Sequence, residues 1–202
     1  MTGVPTELAE YRIAFRQWLD AHRNDFDRGR APTFEEHMTR GLALSRSLWH
    51  AGWKRVGWPE SVGGLGGSPL LRTELGAALA VRDFADPGLF SLIEVLAPSV
   101  IDFASPQLAS EMVPRLLSGT ELWCQGFSEP ETGSDLASLR CSAVPDGGTD
   151  DASTWVINGQ KVWTSLAQYS DRCVLLARTG STVIVCVARS NVFVRINRSS
   201  RF

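Results

Sequence analysis

The stretch Gly126-Phe127-Ser128-Glu129-Pro130-Glu131-Thr132-Gly133-Ser134-Asp135 divides the chain, with helical patterning before it and strand patterning after it. Its glycines and proline weaken helix and sheet alike, and its hydroxyl and carboxylate side chains compete for the backbone. Such a segment either turns the chain or holds a ligand.

Working upstream, Leu8, Tyr11, Phe15, Trp18 and Leu19 recur at helical spacing and predict an amphipathic helix over 6–22. Met38, Leu42, Ser45, Leu48 and Trp49 predict a second, running to about Trp53. The segment from Gly57 to Pro69 is too rich in Gly and Pro for a regular element and reads as an ordered or mobile loop, a flexible connection being the plainer reading of Gly63 to Gly67. Ser68-Pro69 opens a third helix with Leu71, Leu75, Ala78 and Leu79 as its stripe, and Asp86-Pro87 repeats the signal. Leu92, Val95, Leu96, Ser99, Val100 and Phe103 keep the helical period, with Pro98 expected to kink or restart it. Ser105-Pro106 opens one more, with Leu108, Met112 and Leu116 on one face and Pro114 breaking it before Gly119.

Downstream, β-branched and aromatic runs predict strands at 122–127, 139–144, 154–157, 160–164, 172–178 and 182–188, with a terminal strand at Val192 to Ile196. Asn158-Gly159 supplies a two-residue turn and predicts a hairpin between Thr154–Ile157 and Gln160–Trp163. The expected fold is α+β: an all-α helical domain over 1–120, then an antiparallel sheet or barrel-like β-domain over 121–202.

The 202 residues are 44% hydrophobic, with a net charge of -2 and a pI near 5.9, which suits a soluble globular protein and gives no overall field for nucleic acid or an anionic membrane. Cys124, Cys141, Cys173 and Cys186 lie in or beside apolar runs without a Cys-x-x-Cys pair and read as reduced core residues. With neither a signal peptide nor an apolar run of ~18 residues, a cytoplasmic setting is expected.

Several chemistries are excluded. Pro130 stands where a hydrolase elbow Gly-x-Ser-x-Gly needs its last glycine, and His22, His37 and His50 all precede Ser128, against the chain order of that triad. The only lysines, Lys54 and Lys161, do not follow glycine, so no phosphate-binding P-loop exists. The glycine cluster at 63–67 follows a helix and does not fit Gly-x-Gly-x-x-Gly. The histidines have no ligand-like partners in their patterns, and no metal is expected.

What remains is the loop with its hydroxyls at Ser128, Thr132 and Ser134, and Trp163 followed by Thr164 and Ser165. An aromatic surface beside directed donors suits a planar, hydrogen-bonding heterocycle. An ordinary strand end with turn caps has the same composition, and spacing alone leaves both readings open.

The segment Gly126 to Asp135 with Leu136-Ala137-Ser138 resembles the first signature of the acyl-CoA dehydrogenase family. Trp123-Cys124-Gln125-Gly126-Phe127-Ser128-Glu129-Pro130 and Asn158-Gly159-Gln160-Lys161-Val162-Trp163-Thr164-Ser165 are similar to its bacterial members, and Leu48 through Glu60 with the glycine run resembles the family's N-terminal helical domain. The resemblance covers roughly 8–180. It implies an N-terminal helical domain, a middle β-domain with FAD at the face of its sheet, and α,β-dehydrogenation of an acyl-CoA thioester. It also implies electron-transfer flavoprotein as partner and a homo- or hetero-oligomer. By the same resemblance Ser128 and its amide bond the flavin's pyrimidine edge, flanked by Phe127 and Gln125. Trp163 packs on the isoalloxazine, Ser165 reaches toward N5, and Gly133 and Ser134 line the pyrophosphate and the entrance for the acyl-CoA pantetheine. No catalytic residue is assigned, because the family's glutamate base usually comes from a C-terminal bundle beyond these residues, and Glu129 is expected to orient the loop. After about Gly180 the arginine-rich ending departs from the family pattern, as a truncated or frameshifted product would. A non-catalytic partner subunit, a flavin-binding remnant, and an acyl-CoA oxidase or flavin monooxygenase are the alternatives.

Overall fold

A computed structural model describes residues 3–26, 31–81, 89–146, 155–180 and 182–189. The chain forms two compact units, 1–120 and 121–202.

The first unit is helical: α1 (Leu8–Ala21), α2 (Arg23–Phe26), α3 (Phe34–His50), α4 (Leu70–Ala80), α5 (Leu89–Phe103) and α6 (Pro106–Ser118). Tyr11, Phe15 and Leu19 lie four apart on α1 and are buried against Leu44 and Leu48 of α3 and Leu71, Leu75, Ala78 and Leu79 of α4. The Tyr11 hydroxyl donates to the Trp53 carbonyl at 3.0 Å, so this buried hydroxyl is satisfied. Ser105 caps α6 as expected, accepting from the Leu108 amide at 3.2 Å.

Neither helix-interior proline breaks its helix: Pro98 does not restart one, and the break expected at Pro114 is absent. The α5 helix runs through Pro98 and α6 through Pro114, which ends only at the left-handed Gly119. Burial explains the tolerance: Leu96, Ala97 and Val100 beside Pro98, and Val113, Leu116 and Leu117 beside Pro114, are buried, so packing outweighs the lost N–H donor. The buried stripe of α5 is Ile93, Leu96, Ala97 and Val100, while Val95 and Phe103 are exposed. The Asp86-Pro87 signal and the strand at 192–196 lie outside the described residues.

The Gly57–Pro69 segment is an ordered loop, not a flexible connection. The Gly57 amide bonds the Gly66 carbonyl at 2.7 Å, the Gly66 amide bonds the Trp58 carbonyl at 2.9 Å, and Arg55 Nε reaches the Gly63 carbonyl at 2.8 Å. A Cβ on Gly64 would lie 2.1 Å from the Trp58 carbonyl oxygen.

The second unit is a five-stranded sheet of β1 (Trp123–Gly126), β2 (Ser142–Pro145), β3 (Trp155–Asn158), β4 (Arg172–Thr179) and β5 (Thr182–Arg189). The sheet is mixed. The β2/β3 and β4/β5 pairs are antiparallel as expected, whereas β1 and β2 each run parallel to β4. Because β5 occupies one edge of β4 along its length, β1 and β2 share the other edge, β1 at Arg172–Leu175 and β2 at Arg178. They act as one interrupted strand, and residues 127–141 are the excursion between its halves. The predicted Asn158-Gly159 hairpin is absent: β3 pairs with β2, and 160–164 is not a strand.

Below the sheet lies a core of Cys124, Cys141, Ala143, Cys173, Leu175 and Ala177. The first three cysteines are free and buried, as expected. The start of β1 is fastened to β4 by Glu121, which takes Arg172 Nε at 2.6 Å and Trp123 Nε1 at 3.0 Å, and by Asp171 Oδ2, which accepts from the Leu122 amide at 2.9 Å.

Gly64→Ala therefore forces the 57–67 loop apart and lowers stability by about 2 kcal/mol or more, as steric overpacking does. Gly66→Ala, at a left-handed glycine with nothing near its Cβ position, costs about 1 kcal/mol. Urea midpoints of the two variants check the order.

Candidate functional site

The excursion leaves the sheet where β1 ends and is closed at its neck by one side chain. The carboxylate of Glu129 accepts from the Arg140 amide at 2.7 Å and the Cys141 amide at 2.9 Å, so the carboxylate joins the start of the loop to its end. Glu129 and Thr132 also exchange backbone hydrogen bonds of 2.8 and 3.2 Å around Pro130-Glu131, giving the loop a tight first turn.

Into this neck comes Lys161. Its ammonium donates to Glu129 Oε1 at 2.8 Å and to the Phe127 carbonyl at 3.0 Å, and the next amide, Val162, donates to the Ser128 carbonyl at 2.9 Å. Both charged side chains are buried, Lys161 at 1% exposure and Glu129 at 7%. Burial pushes the Glu129 carboxyl upward, but the Lys161 hydrogen bond, the two amides and the Lys161 charge outweigh it and hold the group below the ordinary carboxylate range. The Lys161 stem passes over Gly126, where a Cβ would lie 3.5 Å from Cγ of Lys161 and only 2.9 Å from the Cys173 sulfur. Gly126 is thus fixed by close packing.

Past Val162 the chain reverses. Trp163 adopts a left-handed φ of 58°, which strains a bulky side chain, and its indole is left 75% exposed. Leu166, also left-handed, then leads into the short turn Ala167–Tyr169. The Thr164 hydroxyl oxygen is buried with no hydrogen-bond partner, as is that of Thr132.

The site residues expected from sequence are placed as follows. Gln125 pairs in register with Val174 and, by strand alternation, points to the face opposite Cys124 and Gly126. Phe127 and Ser128 are half-buried and are brought beside Trp163 through the Lys161 and Val162 bonds. Among the described residues the Ser128 amide and hydroxyl make no hydrogen bond, and the Trp163 ring nitrogen makes none either. Ser165 is exposed one turn on. Gly133 and Ser134 stand exposed on the loop beyond the Glu129–Thr132 turn, and no hydrogen bond among the described residues joins them to 163–165. Gly133 has an ordinary φ and nothing within 4 Å of its Cβ position, so the fold itself does not require glycine there.

Sequence reasoning named Thr164 only as a hydroxyl beside Trp163 and gave no role to Lys161 or Arg178. Arg178 Nε donates to the Leu139 carbonyl at 3.2 Å, and its guanidinium also takes the Ala137 carbonyl, so β4 holds the far arm of the loop. The available signal for Lys161 was that it is one of only two lysines, and both prove buried, Lys54 at 4%.

An exposed, strained aromatic, an unpartnered amide and hydroxyl at Ser128, and an orphaned buried hydroxyl at Thr164 fit a planar heterocycle with acceptor atoms at its edge. Glu129 is committed to Lys161, Glu131 pairs with Arg140 at 2.5 Å, and Asp135 accepts from the Ser138 hydroxyl. No group of side chains that would hold a metal occurs among the described residues, and none of their helices is long and apolar enough to cross a membrane.

Because the Glu129 carboxyl is lowered in the folded state, its contribution is complete above the unfolded value near ~4.3 and fades as pH falls through the lower folded value. Glu129→Gln leaves Lys161 buried without its counter-ion and lowers stability by about 3–5 kcal/mol at pH 7. Urea unfolding across pH 3–7 checks both the loss and its disappearance in acid.

Residues 124–199 match the family model described as acyl-CoA dehydrogenase, middle domain. The match runs past Gly180, and β5 extends the sheet over 182–189, so the expected departure from the family at that point is corrected. The chain is 41% identical over 178 residues to acyl-CoA dehydrogenase IpdE1 of Mycobacterium tuberculosis, covering 86% of this chain and 45% of that protein. Among solved structures it is similar to the ChsE4-ChsE5 complex from Mycobacterium tuberculosis, with a TM-score of 0.68 at 26% identity, covering 95% of this chain and 48% of that one. A probable acyl CoA dehydrogenase from Mycobacterium abscessus gives a TM-score of 0.70 at 26% identity, covering 90% and 48%. The chain spans about half the length of the relatives it matches, and it belongs to the acyl-CoA dehydrogenase family.

Proposed function

We propose that residues 121–202 form one half of an FAD and thioester site used for α,β-dehydrogenation of an acyl-CoA. The single observation that carries this reading is the exposed Trp163, held in a left-handed conformation beside the unpartnered Ser128 amide and the orphaned Thr164 hydroxyl. When bound, FAD supplies the acceptor for the hydride that leaves the β-carbon. The chain's own residues bind and orient. Trp163 offers its face to the ring system, Ser128 and Ser165 offer donors to its edge, and Gln125 and Phe127 flank them. Donors at that edge stabilise negative charge as it develops there. Gly133 and Ser134 line the pyrophosphate and thioester side. Electron-transfer flavoprotein as electron acceptor and a cytoplasmic setting belong to the same proposal.

We place the proton-abstracting carboxylate outside these residues: Glu129 is buried against Lys161, and Glu131 and Asp135 stand exposed on the loop. That favours a second reading as well, a subunit that completes its site with another polypeptide; a solved relative is a complex of two named components.

The test is to purify the full chain, titrate it with FAD, and record the visible spectrum before and after anaerobic addition of acyl-CoA. Bound flavin without bleaching is expected, and Trp163→Ala weakens FAD binding about 10-fold, equivalent to ~1.4 kcal/mol. Bleaching by the chain alone contradicts the external base, and no flavin binding under any condition contradicts the cofactor assignment.

A further inference from the structure

We propose that Lys161 is a positioning residue that holds the two walls of this site, the loop opening at Phe127-Ser128 and the turn carrying Trp163, as a single unit. Where the unit is said to cradle flavin, the inference rests on the reading above; where it concerns the coupling of the two walls, it stands on geometry alone.

Three separate segments meet at one ammonium group. Lys161 bonds the Phe127 carbonyl at the exit of β1 and the Glu129 carboxylate, and that carboxylate bonds the amides of Arg140 and Cys141 at the loop's return. The neighbouring Val162 amide then fixes the Ser128 carbonyl, placing Trp163 one residue away. No sheet pairing joins 160–164 to β1, and the hairpin expected between 154–157 and 160–163 does not form, so these bonds are what fix 160–162 in place. Stability alone is a poor reason for the pair, because the attraction of two buried charges does not reliably repay their desolvation, and an apolar pair of similar volume packs as well. What an apolar pair does not supply is directionality. Lys161 reaches a carbonyl and a carboxylate, and the carboxylate reaches two amides, each within 2.7–3.0 Å. The Trp163 strain is sustained only while its flank is held.

The test is amide hydrogen exchange by mass spectrometry on the full chain, comparing wild type with Lys161→Met and, as a milder change, Glu129→Gln. In both variants, exchange in 127–141 and in 160–166 is expected to rise together by about 10-fold or more, while β4 at 172–179 stays protected. Added FAD is expected to bind Lys161→Met about 10-fold more weakly, with a shifted flavin absorption band. Deprotection of one segment while the other is unchanged, or protection of both in Lys161→Met, overturns the coupling. If neither variant folds, trace incorporation of the wild-type chain at falling pH reads the same joint opening as Glu129 protonates, and separate openings overturn it. A wild-type chain that takes no FAD yet opens jointly removes the flavin reading and supports the positioning role.

Discussion

The second unit depends on a buried ammonium and carboxylate that bond each other and three further backbone groups on two other stretches of chain. Lys161 and Glu129 are desolvated almost completely, and a buried charge is tolerated only when its lone pairs and protons are met. Each requirement fixes a piece of backbone: Phe127, Arg140 and Cys141 through the pair itself, and Ser128 through the adjoining Val162 amide. The exposed site residues inherit their places from groups that never reach the surface.

The same constraint explains why β1 and β2 lie end to end along β4. A strand interrupted by residues 127–141 would fray unless its two ends were held at one point, and Glu129 provides that point from beneath while Arg178 holds the far arm through the Ala137 and Leu139 carbonyls. Among the described residues, no hydrogen bond ties the exposed crest of the loop, Gly133 and Ser134, to the rest of the unit.

Much of the fold was legible because it follows hydrophobic period: the α1 and α4 stripes, the Ser105 cap and the strand positions at 123–126, 172–179 and 182–189 are read from spacing alone. Non-local pairing was not. Parallel partners such as Cys124 and Cys173 leave no signal in a turn, and the Asn158-Gly159 dipeptide suggested a hairpin that the buried Lys161 prevents by drawing 160–162 toward Ser128. The break expected at Pro114 failed for a related reason, since local propensity yields to a buried helix face. In the candidate site, Ser128 and Trp163 were named from the pattern and its resemblance, whereas Lys161 looked like one more alternating strand residue. Thr164 was read as a hydroxyl beside Trp163, but that this hydroxyl is buried and unmet is something no sequence displays.

A double-mutant cycle on Glu129→Gln and Lys161→Met, read by urea unfolding at pH 7, tests the pair most directly. If the two side chains are one interaction, each single variant loses most of what the double variant loses, with a coupling energy of about 2 kcal/mol or more. Additive losses within about 0.5 kcal/mol contradict it, and would mean that the two buried charges serve separate parts of the structure.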